Sequence, residues 1–223
     1  MNKKQKIAFI LNILVFAFTL FATICIIIGF KFMEDVTVLS EKNLKSFRYF
    51  TVQSNIFAAI VSLIYIIYNL RSKVKKTEKL PTYLYVLKLA AVTSVTLTMM
   101  VTVFYLAPRS KTTYFSYFMN SNLFMHFITP VLCILSFIFF ESSEKLPLKI
   151  SFTGVIPMVL YASYYTPNVL LHLNNGKVNP DYDWYGFLAF GVNTVWFVIP
   201  FLIAFTWIFS FSLWALNKKL ASN

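Results

Sequence analysis

RYFTVQSNIFAAIVSLIYIIYNL, residues 48–70, carries one charge at its first position and none after it. At about 1.5 Å per residue the stretch is long enough to cross a hydrocarbon core about 30 Å thick. Yet Thr51, Gln53, Ser54 and Asn55 stand where the chain enters that core, and each side chain costs free energy in lipid unless it faces protein or water. At about 100° per residue, Thr51, Ser54, Asn55, Ala58 and Ser62 share one face, while Phe50, Ile56, Phe57 and Ile60 lie mostly elsewhere. The pattern predicts a transmembrane helix whose polar stripe faces the interior of a helical bundle.

The rest of the chain extends this reading. With 223 residues, 58% of them hydrophobic and 19% aromatic, and a mean hydropathy of +0.69, the composition excludes a soluble domain. Windows of roughly 20 apolar residues fall at 7–30, 48–69, 84–107, 121–140, 149–171 and 186–215. The first follows a basic tip, as a signal peptide does, but it is longer than an h-region and lacks a small-residue cleavage site, so it reads as a span. The expected fold is therefore all-α, one integral membrane domain of six transmembrane helices over 1–223.

Charge sets the expected orientation. Lys3, Lys4, Lys6, Arg71, Lys73, Lys75, Lys76, Lys79, Lys145, Lys149, Lys218 and Lys219 fall on one side. The other side has fewer: Lys31, Lys42, Lys45, Arg48, Arg109, Lys111 and Lys177, together with Asp35, Asp181 and Asp183. The excess places both termini in the cytoplasm of a cell or plasma membrane protein. It also accounts for the net charge of +12 without nucleic acid as a partner. Tyr114, Tyr117, Tyr182, Trp184 and Tyr185 fit an outer aromatic belt, and Tyr83, Tyr85 and Trp214 an inner one. Cys25 and Cys133 sit in apolar segments and indicate no disulfide framework.

Span four repeats the polar pattern, with Asn122, His126, Thr129 and Cys133 at helical spacing. Span three contributes Ser94, Thr98 and Thr102, span one Asn12, Thr19 and Thr23, and span six Asn193 among Ala189, Trp196 and Pro200. Helix packing explains most Ser and Thr in such a seam. His126 is different, being the one histidine inside a span. Pro130, four residues on, cannot donate to the His126 carbonyl and predicts a kink there. Thr51 and His126 both lie about 5–10 Å below the outer interface at about 1.5 Å per residue, so they can meet.

A threonine hydroxyl becomes a nucleophile when a neighbouring base takes its proton, and histidine is the usual base. The first turn of a helix, rich in free N–H groups, favours an oxyanion near Thr51. Ser54 and Asn55 are candidate oxyanion donors, and Asn122 and Asn193 candidate substrate-positioning groups. Asp183 is a possible acid to orient the imidazole, with Asn122 or a backbone carbonyl as the alternatives. One intraspan histidine without carboxylates cannot build a metal centre, and no cofactor is expected.

Three stretches, YFTVQSN at 49–55, NLFMHFITP at 122–130 and DYDWYGFLAFG at 181–191, resemble the androgen-induced and androgen-dependent six-span membrane proteins and their bacterial relatives. Eukaryotic members hydrolyse fatty acid esters of hydroxy fatty acids with an intramembrane threonine and a histidine. The resemblance implies that Thr51 is nucleophile, His126 base, and a fatty acyl ester in the bilayer the substrate. A small transporter, or a lipid-binding or scaffold protein, would use the same seam without catalysis. Transporters commonly pair helix breaks between halves, whereas Pro130, Pro157 and Pro200 have no counterparts in the first three spans.

Overall fold

A computed structural model of the chain describes residues 2–33, 43–72, 79–144 and 146–221, with no strand among them. Of the charges used for orientation, Asp35, Lys42, Lys73, Lys75, Lys76 and Lys145 lie outside the described residues. Five helices are long and apolar enough to cross a membrane: α1 (Lys3–Ile28), α2 (Phe50–Ser72), α3 (Thr82–Arg109), α4 (Ser121–Phe140) and α6 (Val192–Leu220). Asn2 starts α1 by accepting from the Gln5 N–H at 2.8 Å while Gln5 Oε1 accepts from the Asn2 N–H at 2.9 Å. Gly29, at φ 72°, ends it in the left-handed conformation.

The window 149–171 departs from expectation. It is not one long α-helix but a 3₁₀ run, Leu148–Val155, leading into α5 (Ile156–Leu171). Pro157 supplies the reason, because it has no N–H with which to continue an α ladder from the preceding turn. The tighter 3₁₀ run also brings Gly154 against α3 and α6. A Cβ on Gly154 would fall 2.8 Å from Thr93 Oγ1 and closer still to the Ser210 hydroxyl.

Helix α3 is the centre of the bundle and packs against α2, α4, α6 and the 3₁₀ run. Lys88 to Thr98 are buried without a break. A helix buried all round suits a central position, and Ala90, Ala91, Thr93 and Ser94 let its neighbours approach closely. The span-two stripe is buried as its spacing predicts: Thr51, Ser54, Asn55, Ala58 and Ser62 all face inward. In α6 the expected face is reversed. Asn193, Trp196 and Pro200 are exposed, and Val195, Leu202, Thr206, Ser210, Leu213 and Asn217 form the inward stripe. Tyr85, expected in an interfacial belt, packs inside against Phe137.

At the end of the bundle remote from Thr51 lies a buried ion pair that counting charges outside the spans had passed over. Lys88 Nζ is 3.0 Å from Glu141 Oε1, both side chains almost fully buried. Asn12 joins them, accepting from Lys88 at 2.6 Å and donating to Glu141 at 2.8 Å, and Ser136 donates to the same carboxylate oxygen at 2.6 Å. The cluster ties α1, α3 and α4 together. A charge left alone in this setting is expensive, whereas neutral replacement of both is tolerated.

Two stability predictions follow from this packing. Gly154→Ala is expected to lower the melting temperature in detergent, through overpacking worth about 1–3 kcal/mol; unchanged melting would mean the crossing is looser than described. Lys88→Met and Glu141→Gln are each expected to destabilise by about 3–5 kcal/mol in denaturant titrations, and the double variant to recover most of the loss. Additive losses would show that the two charges act independently.

Candidate active site

Thr51 sits in the first turn of α2, just after a 3₁₀ run at Asn43–Arg48. The first N–H groups of a helix have no intrahelical acceptor. Here Val52 and Gln53 donate back to the Tyr49 carbonyl at 3.1 Å, and the Thr51 N–H reaches the Tyr185 phenol oxygen at 3.3 Å. The loop before α6 is what delivers Tyr185. Asp183, buried, accepts from the Tyr165 hydroxyl and from the Phe187 and Leu188 N–H groups at 3.0 and 2.9 Å, folding the loop back over α2. Burial pushes the Tyr185 phenol up to about 12, so it keeps its proton at neutral pH and can donate it.

His126 is placed by a different local device. α3 and α4 each contain one π-helical turn, Thr102–Leu106 and Phe124–Ile128. Each ends with an N–H reaching five residues back, Ala107 to Thr102 and Thr129 to Phe124. One residue beyond each stands a proline, Pro108 and Pro130. A proline ring clashes with the carbonyl four residues earlier, and a widened turn relieves that clash. The irregularity expected at Pro130 therefore takes the form of a π turn centred on His126.

The imidazole is buried, with Nδ1 2.7 Å from the Tyr117 carbonyl oxygen. A carbonyl can only accept, so Nδ1 carries the proton, and in the neutral ring Nε2 presents a lone pair. Nε2 has no hydrogen-bond partner among the described residues. The orienting group is thus the Tyr117 carbonyl, one of the expected alternatives, and not Asp183, whose oxygens are engaged with Tyr165 and the loop amides.

Asn55 connects the two residues. Its Nδ2 donates to the Thr51 carbonyl at 2.8 Å and to the Met125 carbonyl at 3.0 Å, holding the first turn of α2 against the π turn of α4. A direct Thr51–His126 hydrogen bond, as expected from sequence, is not made. Ser54 donates to the Thr51 carbonyl at 3.1 Å and pairs with Thr98 at 2.9 Å. The Ser54 and Asn55 protons are therefore committed to backbone carbonyls and do not serve as oxyanion donors. Asn55 Oδ1, Asn122 Oδ1 and Thr129 Oγ1 are buried and likewise lack partners among the described residues. Asn193 is exposed and lies outside this group.

Thr51 opens on a narrow cavity of about 30 Å³, walled by Phe50, Leu97, Val101 and Tyr161 and touched by the polar groups of Thr98 and Tyr185. Tyr185, assigned from sequence to an interfacial belt, is the residue that spacing alone missed. Its signal was the neighbouring Asp183, an acid among aromatics at a span entrance. His172, by contrast, stacks on Tyr182 at 3.8 Å in an exposed position, in keeping with an interfacial role. Among the described residues no group of His, Cys, Asp and Glu could hold a metal ion.

No family model, curated protein or solved structure matches the chain. The loop geometry has its own test. In carbon NMR of ζ-labelled tyrosines, with Tyr185 assigned through Tyr185→Phe, its signal should titrate near pH 12, and Asp183→Ala should move that midpoint down toward the ordinary value of about 10. An unshifted midpoint would mean that Asp183 does not hold Tyr185 in place.

Proposed function

We propose that this chain is an intramembrane lipid-ester hydrolase with six membrane crossings, α5 and its 3₁₀ run making the fifth, and with both termini cytoplasmic. The site then lies in the outer half of a cell membrane. The observation that carries the reading is the contact of His126 Nδ1 with the Tyr117 carbonyl: an acceptor there calls for the proton on Nδ1 and leaves a buried Nε2 lone pair within one residue of the Asn55 bridge to Thr51. The resemblance to the androgen-induced and androgen-dependent hydrolases supports the same assignment.

In this mechanism substrate binding closes the gap between Thr51 and His126, as catalytic hydrogen bonds often tighten only in the complex. Thr51 Oγ1 loses its proton to His126 Nε2 and bonds to the ester carbonyl carbon. The Tyr185 O–H, whose oxygen already accepts from the Thr51 N–H, is the donor assigned to the oxyanion. Collapse breaks the ester C–O bond, and the leaving alcohol takes the proton from His126. Water, activated by the same imidazole, then hydrolyses the acyl-threonine and restores the hydroxyl.

A non-catalytic lipid-binding or transport role is the second reading, and the Lys88–Glu141 pair favours it, since buried intramembrane charges often mark ion pathways. Turnover of a long-chain ester by purified protein separates the two. Thr51→Ser should retain activity, while Thr51→Ala and His126→Ala should each abolish both turnover and labelling by a fluorophosphonate, and the double variant should be little worse. Lipid binding without ester cleavage in the wild-type protein would favour the second reading instead.

A further inference from the structure

The Thr51 cavity, at about 30 Å³, is too small for an acyl chain. A much larger space lies beside it. Between α2, α3 and α5 runs a groove of about 370 Å³, walled by Phe57, Val86, Ala90, Pro157 and Leu160, with Gln53 and Tyr164 toward the Thr51 end. It is nearly all apolar. Its wall along the 3₁₀ run and α5 extends from Thr153 to Tyr164, about 16 Å at an α-helical rise, so it is an elongated channel following the helices. Leu160 and Ile156 on its rim are exposed on the surface that faces lipid in a bilayer.

Two residues belong to the walls of both spaces, Phe50 and Tyr161. Their rings meet at 5.0 Å between centroids, with 8% and 5% of their surfaces exposed, and close the groove off from Thr51. The two are held differently. Tyr161 is pinned, donating to the Arg48 carbonyl at 3.0 Å and accepting from Trp184 Nε1 at 2.9 Å. Phe50 has no polar atom on its side chain and is held by packing alone. Phe50 also adjoins Thr51 in the chain.

We infer that the groove receives a single extended acyl chain of a bilayer lipid ester, and that Phe50 is the door through which this chain, with its ester carbonyl leading, reaches Thr51 past the fixed wall of Tyr161. This rests on the reading of Thr51 as the reacting residue. It adds the class of substrate part recognised, a straight acyl chain entering from the bilayer, and the side chain that admits it. Chain acceptance is then set by the groove and by position 50.

The test uses full-length protein in phosphatidylcholine vesicles with a long-chain fatty acid methyl ester carrying a diazirine on the chain close to the ester carbonyl, the end that leads. After photolysis, labelled residues are mapped by mass spectrometry. In the wild-type protein labelling should concentrate on Phe57, Val86 and Leu160 relative to other lipid-facing positions such as Ile24 and Phe211. Phe50→Ala should spread it to Leu97 and Leu202, and Phe50→Trp should confine it to the groove. Leu160→Trp, a change at an exposed position that folding tolerates, should reduce labelling throughout the groove. Labelling no stronger in the groove than at Ile24, or the same at Leu97 for Ala and Trp at position 50, overturns the inference. Loss of turnover is scored separately: groove labelling with no ester cleavage contradicts the hydrolase reading and leaves the acyl-chain site standing.

Discussion

In hydrocarbon a polar side chain must find its partner inside the protein, and this constraint orders the interior of the bundle. Along the middle of α3 it is met locally, Ser94 and Thr96 donating to carbonyls of their own helix at 2.7 Å. At one end it is met by mutual neutralisation, Lys88 against Glu141 with Asn12 and Ser136 filling in. At the other end it is met only in part. Asn55 uses both amide protons to bind α2 to α4, yet its own oxygen, the Asn122 oxygen and His126 Nε2 lack partners among the described residues.

Such a deficit is costly, about 1–3 kcal/mol for each buried polar group. Buried oxygens elsewhere also lack partners among the described residues, Ser62 Oγ, Thr93 Oγ1 and Glu141 Oε2 among them, so what distinguishes this end is the kind of atom left over, an imidazole nitrogen. The backbone points to the same place. Both π turns occur at this end of the bundle, each imposed by a following proline, and the one in α4 contains the histidine. Asp183 then folds a loop from far along the chain over Thr51, placing Tyr185 against the first turn of α2. Thr51, His126 and Tyr185 thus come from three segments, each held by its own local device.

What could be read from sequence follows from what local periodicity encodes. The buried stripe of α2 and the inward positions of α4 were legible because helical spacing determines which side chains share a face. The inward face of α6 was not. Asn193 suggested it, but Asn193 stands exposed at the helix entrance, while the buried stripe from Val195 to Asn217 mixes apolar residues with Thr206, Ser210 and Asn217. Lys88 lies within a span, where a rule that weighs charges between spans carries no information. The division of the 149–171 window was signalled by Pro157, whose effect on the ladder outweighs the apolar composition around it. Tyr185 could not be found by spacing at all, since its contact with Thr51 joins residues 134 apart.

The account depends most on the state of one imidazole. Nitrogen NMR of histidine-labelled protein, with the exposed His172 removed by substitution to leave His126 alone, reports directly which ring nitrogen carries the proton. At neutral pH the account predicts a protonated Nδ1 and an unprotonated Nε2, and a change in the Nε2 signal when Tyr117 is moved by deleting a neighbouring loop residue. A ring protonated on Nε2, or charged on both nitrogens at neutral pH, would contradict it, because His126 would then have no lone pair with which to take a proton from Thr51.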